Sequence, residues 1–134
     1  RRRIFLITGD GELAEGSNWE AALAAAHYGL DNLVIINDKN NLQLAGPTRE
    51  IMNTDPLAEK WLAFGMQVTE CQGNDMASVV ATLEELKQEG KPNVVIAHTT
   101  KGAGISFIQG RAEWHHRVPK GDEIEQALEE LKDA

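Results

Sequence analysis

The tightest constraint on this chain comes from short, unbroken apolar runs that each stop at a polar loop. Ile4-Phe5-Leu6-Ile7-Thr8 leads into Gly9-Asp10-Gly11, and Leu33-Val34-Ile35-Ile36 leads into a long loop, Asn37 to Pro47, dense in Asn, Asp and Gly. Val94-Val95-Ile96-Ala97 repeats the pattern. Such runs, without polar alternation, read as strands buried on both faces, the kind that parallel sheets contain. Met66 to Cys71 alternates and supplies a further strand.

Helical signals fill the gaps. Ser17 is placed as an N-cap, with Glu20 completing a capping box, before the Ala-rich stretch Ala21 to His27 and its stop at Gly29. Asp55 and Pro56 read as cap and first helical residue of a helix running to about Phe64, ahead of Gly65. Asp75 caps a third helix through Gln88, with Met76, Val79, Val80, Leu83 and Leu86 at helical spacing and Gly90 and Pro92 as the stop. Asp122 to Lys132 reads as a last, acidic amphipathic helix with Ile124, Leu128 and Leu131 on one face. The fold class is therefore α/β, a parallel sheet of about four strands with helices on both faces and ligands expected at the carboxyl ends of the strands. Lys101 to Lys120 is irregular and rich in Gly, His and Arg, a functional loop by its length.

Composition narrows the partners. The 134 residues fit one domain, and 42% hydrophobic content buries an ordinary core. The net charge of −8 opposes nucleic acid and anionic membranes, and Arg1, Arg2 and Arg3 do not reverse it. Cys71 stands alone, which excludes an internal disulfide or a Cys-cluster zinc site and fits a reducing, cytoplasmic setting. No apolar stretch approaches the roughly 18 to 20 residues of a membrane span, and the basic start lacks a signal peptide's cleavage region. An opening strand with no element before it marks residues 1 to 134 as a single partial domain.

The chemistry concentrates in two loops. If the first two strands are neighbours, their ends lie about 4.8 Å apart, so Asp10 and Asn40 converge on one cation. Magnesium takes hard oxygen ligands at roughly 2.0 to 2.1 Å and keeps phosphates and water, so one carboxylate, one amide and a backbone carbonyl suffice. Gly9 and Gly11 let the backbone approach a phosphate, and the Gly11 N–H is a donor to it. The helix beginning near Ser17 adds a favourable dipole for a diphosphate.

Gly9-Asp10-Gly11 followed about thirty residues later by Asn40-Asn41 resembles the thiamine-diphosphate signature. Gly9 to Gly16 with Trp19-Glu20-Ala21-Ala22, then Asn40 to Gly46, Lys101-Gly102-Ala103-Gly104 and Glu113-Trp114-His115-His116, are similar to the transketolases in particular. That resemblance implies thiamine diphosphate with Mg2+, for which Ca2+ or Mn2+ substitute. It makes Asp10, Asn40 and the carbonyl of Leu42 metal ligands, and Gly9, Gly11 and Asn41 parts of the cofactor signature. It makes Glu15 an interface acid that communicates with the activating glutamate of another domain. His115 best matches a histidine near the diphosphate and the reacting carbon, although the family's following Gly is His116 here, which leaves a slip of one residue open. The resemblance covers the second half of the family's diphosphate-binding domain. It implies sugar phosphate substrates, a partner in the form of a pyrimidine-binding domain or C-terminal subunit, a homodimer or heterotetramer, and no turnover by this chain alone. The alternatives are deoxyxylulose phosphate synthase, a non-catalytic truncated paralogue or a 2-oxo-acid dehydrogenase subunit. His27, His98 and Lys101 are assigned no chemistry, since packing or ordinary exposure accounts for each.

Overall fold

The computed structural model of the protein describes residues 2–132, so Arg1 of the basic run lies outside the described residues. Four strands, β1 (Ile4–Gly9), β2 (Leu33–Lys39), β5 (Gln67–Gln72) and β6 (Asn93–His98), form one sheet in the order β1-β2-β6-β5, and every pairing in it is parallel. Gly9 stands level with Asp38, and Asp38 with Ala97, so three strands deliver their carboxyl ends to one edge. A two-stranded antiparallel hairpin, β3 (Leu42–Gln43) and β4 (Gly46–Pro47), stands apart from the sheet. Most of the expected Asn37 to Pro47 loop is thus extension of β2 followed by this hairpin, and a short helix α2 (Thr48–Ile51), with no clear sequence signal, follows it.

Side chains leave the central strands alternately, as the pleat requires. Ile35, Val94 and Ile96 pack against Leu13, against Ala22 and Ala25 of α1 (Gly16–His27) and against Leu57 and Trp61 of α3 (Leu57–Ala63). On the opposite face Val34, Val95, Cys71 and Ala97 pack with Leu86 and with Val79 and Leu83 of α4 (Met76–Glu85). Cys71 is a buried core thiol whose pKa burial pushes up. The expected layering of helices on both faces holds.

Several local expectations change. β1 is not buried on both faces: Ile4, Phe5, Leu6 and Ile7 are 46% to 70% exposed, because β1 is an outer strand, at the opposite edge from β5, and α4 covers only strands further along the sheet. α1 begins earlier than the Ser17 cap implied. Glu15, in extended backbone after a 3-10 turn (Gly11–Ala14), occupies the cap position and Ser17 lies inside the helix, so no capping box forms. Asp55 does not cap α3; its carboxylate pairs with Lys39 instead, and Pro56 takes the cap position with Leu57 as the first helical residue. Asp75 does cap α4, accepting the Ala77 N–H at 3.0 Å. That helix ends at Glu85 because Leu86 turns into the core and the Lys87 carbonyl accepts from the Asn93 amide at 2.9 Å. Met76 and Val80 face solvent rather than core. The last helix, α5 (Asp122–Glu130), buries Ala127, while Ile124, Leu128 and Leu131 are exposed. Among the described residues no helix is long and apolar enough to cross a membrane.

Candidate functional site

The site grows from the ends of β1 and β2. Thr8, the last side chain of β1 before the glycine, is buried and accepts a hydrogen bond from the Asn37 amide across the strand pair. This contact fixes the level at which the two loops leave the sheet. Gly9 N–H then donates to Glu12 Oε2 at 2.7 Å, folding the chain into the 3-10 turn. The turn is tied to α1 by the Trp19 indole N–H, which donates to the Leu13 carbonyl at 2.9 Å.

Asp10 is only 4% exposed, and its carboxylate accepts the Asn41 N–H, so the first loop is bonded to the second. Burial raises the Asp10 pKa, opposed by the Asn41 and Asn40 N–H groups and by the Lys39 ammonium, with Asp38 adding to the rise. A buried carboxylate of this kind is stabilised by any cation that reaches it.

The second loop is shaped by its own polar side chains. Asn41 sits at a φ of 61° and Leu44 at 40°, the left-handed region that non-glycine residues rarely enter. Asn40 donates through Nδ2 to Asp38 Oδ2 at 3.3 Å and accepts the Leu42 N–H on Oδ1 at 2.9 Å, an Asx-type turn that reverses the chain into β3. Thr48 N–H closes the loop on the Asn41 carbonyl at 3.0 Å.

Between these loops lies a cavity of about 320 Å³ whose lining includes Gly9, Asp10, Gly11, Asn40, Leu42 and His115. The structure therefore brings together all of the expected metal and cofactor residues except Glu15 and Asn41. Glu15 is exposed and makes no side-chain cap bond, and it is not part of the cavity lining. Asn41 contributes its backbone to Asp10 rather than its side chain. His115, and not His116, borders the cavity. It ends a second 3-10 turn (Ala112–His115) held by buried Trp114, which has Phe107 edge-on at 5.4 Å and the Arg117 guanidinium over its ring at 4.2 Å.

Sequence reasoning missed several lining residues, Lys101 and Gln43 among them. Lys101 returns to the cavity from the far end of β6, bringing a cation beside the glycine loop. Its one sequence signal is its place before Gly102-Ala103-Gly104. Gln43 also lines the cavity, with its Oε1 buried and without a hydrogen-bond partner. By contrast His98, given no chemistry, is satisfied elsewhere by Glu70 at 2.5 Å.

The donor set fits a magnesium diphosphate. It offers a carboxylate and an amide oxygen, with Leu42 on the same wall, and magnesium takes hard oxygen ligands of this kind. Gly11 has little room for a side chain: a Cβ there would lie 3.2 Å from Gln43 Cγ, so the backbone is the surface a ligand meets.

The comparisons with known proteins run nearly the whole length of the chain. The family described as "Transketolase, thiamine diphosphate binding domain" matches residues 1–132. An apulose-4-phosphate transketolase subunit of Actinobacillus succinogenes is 73% identical over 99% of the chain, which spans 48% of that relative. The 6-deoxy-6-sulfo-D-fructose transketolase subunit SqwG of a Clostridium species is 38% identical over 96% of the chain and 47% of its own length. The crystal structure of the Campylobacter jejuni transketolase superposes with a TM-score of 0.87 at 31% identity, covering 96% of this chain and 20% of that one. The chain thus spans about half the length of the transketolase subunits it matches, and it belongs to the transketolase thiamine diphosphate binding domain family.

Proposed function

We propose that this chain is part of the N-terminal subunit of a two-subunit, cytoplasmic transketolase that moves a two-carbon ketol unit from a ketose phosphate to an aldose phosphate. The observation that carries the reading is the shared cavity: Asp10, Asn40 and Leu42 from the β1 and β2 loops meet Lys101 and His115 from the loop after β6.

Each residue then has a role set by its chemistry. Asp10 and Asn40, with the Leu42 carbonyl, hold Mg2+, and the Asn41 N–H keeps the Asp10 carboxylate turned toward it. The Gly11 N–H and the Lys101 ammonium take the diphosphate's remaining charge, and Gly9 gives the backbone its close approach. His115, exposed on the cavity wall, hydrogen-bonds substrate oxygen through its ring nitrogens and exchanges a proton there. Thiamine diphosphate, when bound, supplies the carbon chemistry of ketol transfer, while the protein binds and orients. Glu15, exposed at the start of α1, meets the partner subunit, which contributes the pyrimidine-binding domain and the activating glutamate. Residues 1–134 on this reading are the later part of the diphosphate-binding domain, and turnover requires the rest of the assembly.

The 73% identity to the apulose-4-phosphate transketolase relative supports a branched ketose phosphate as donor, in place of the pentose phosphate cycle's usual sugars. The test is reconstitution of the full-length subunit with its partner in Mg2+ and thiamine diphosphate. Calorimetry is expected to show cofactor binding that Asp10→Ala abolishes, and ketol transfer from apulose 4-phosphate is expected only on mixing the two subunits. Cofactor binding unchanged by Asp10→Ala would remove Asp10 from the site. Binding without ketol transfer to any aldose phosphate would retract the transketolase activity.

A further inference from the structure

Among the proposed cation ligands, Asn40 alone has two ends of nearly the same shape and opposite chemistry. An amide oxygen coordinates a cation, whereas the NH2 group turned the same way repels it. Something must choose between them.

The contacts of Asn40 identify what chooses. Its Nδ2 donates to Asp38 Oδ2 at 3.3 Å, which leaves Oδ1 on the other side, where it accepts the Leu42 N–H at 2.9 Å. A carbonyl oxygen has two lone pairs, so one remains for a metal. Asp38 is itself held, because its Oδ1 accepts from the Thr99 hydroxyl. Thr99 is anchored in turn by its N–H, which donates to the Lys39 carbonyl at 3.1 Å and pins the end of β6 to the end of β2. The polar chain therefore runs from Thr99 through Asp38 to Asn40 and on to the Leu42 N–H. A side chain at 38 with no acceptor would leave the Asn40 amide free to turn over.

We propose that Asp38 is a positioning residue for the divalent cation, acting through Asn40 by holding that amide with its oxygen available to the metal. The inference rests on the cation site proposed above. Asp38 borders the same cavity, but each of its carboxylate oxygens already accepts from a protein donor.

The experiment uses the full-length subunit with thiamine diphosphate present and reads Mn2+ affinity from the electron paramagnetic resonance signal of the free ion. Asp38→Leu, close to it in size, removes the acceptor, and Mn2+ affinity is expected to fall about 10- to 100-fold, the range for removing a group that orients a metal ligand. Asp38→Asn removes the charge alone, because its amide oxygen can face Asn40 while its NH2 group donates to the Thr99 hydroxyl, and it is expected to keep most of the affinity. Thr99→Val, which deletes only the hydroxyl, should give a smaller loss than Asp38→Leu and serves if that variant fails to fold. Wild-type affinity in Asp38→Leu together with loss in Asp10→Ala would overturn this inference alone, and wild-type affinity in both would overturn the cation site as well. A loss in Asp38→Asn as large as in Asp38→Leu would also overturn it, and would assign the effect to the Asp38 charge.

Discussion

β1 and β6 carry nearly the same sequence pattern and occupy opposite environments. Val94, Val95 and Ile96 are at most 1% exposed, between α1 and α3 on one face and α4 on the other, whereas Ile4 to Ile7 are 46% to 70% exposed. Yet β1, the poorly packed strand, leads into Asp10, while β6 ends in a histidine that is satisfied by a neighbouring glutamate. The comparison teaches that the candidate site is not held by packing beneath it. It is held by polar contacts across the β1–β2 pair, namely Asn37 to Thr8 and Asn41 to Asp10.

The most forceful way to break this comparison is to empty the core strand. Ile96→Ala removes a side chain that is 1% exposed within the main cluster. Its expected cost is about 2 to 5 kcal/mol, read from urea unfolding of this chain. A cost below about 1 kcal/mol would mean that β6 is no better packed than β1. A smaller effect is expected from Thr8→Val, which keeps the shape but strips the acceptor from the buried Asn37 amide. A buried donor left alone costs about 1 to 3 kcal/mol. If stability is unchanged, the polar contact does not hold the outer strand.

The same two strands show what can be read from sequence. The runs Ile4 to Thr8 and Val94 to Ala97 both announce a parallel strand, since an unbroken apolar run fits little else bounded by turn residues. Nothing in Ile-Phe-Leu-Ile says that the strand is the outer one, because neighbours are assigned by the path of the chain. Asp10 and Asn40 are legible because a strand end fixes where the next backbone atoms lie, and the two loops need only adjacent strands to meet. Lys101 is not, since an exposed lysine after a strand is ordinary and its arrival in the cavity depends on the course of an irregular loop. Asp55 misleads for a similar reason: cap chemistry is local, but its carboxylate goes to Lys39, a partner contributed by the end of β2.

Acid titration sharpens the contrast at the polar end of β1. The Asp10 carboxyl has its pKa raised above the ordinary 3.8 by burial. Below that pH both folded and unfolded chains hold the proton, and the group contributes nothing. As pH climbs, the unfolded chain ionises first, so stability falls until the pH passes the raised folded value and is level thereafter. Asp10→Asn removes this titration. Without metal or cofactor, the variant is expected to gain stability relative to the parent as pH rises through that window. Thermal unfolding from about pH 3 to about pH 8 spans it, and a gap that does not change with pH would mean that the carboxylate is not desolvated.

The smallest effect belongs to the exposed half of β1. Ile7 is 70% exposed, so Ile7→Ala deletes carbons that water already reaches and leaves no cavity behind. In this chain the expected change is within about 0.5 kcal/mol, the range of ordinary surface substitutions. The same substitution in the proposed full-length subunit is the more informative measurement, because an edge strand with exposed apolar side chains on both faces is a surface that larger assemblies cover. There a loss rising toward that of Ile96→Ala would show β1 becoming an interior strand within the assembly proposed above. A loss equally small in both settings would make β1 a true sheet edge, with Asp10 kept in place by polar contacts and not by packing on β1.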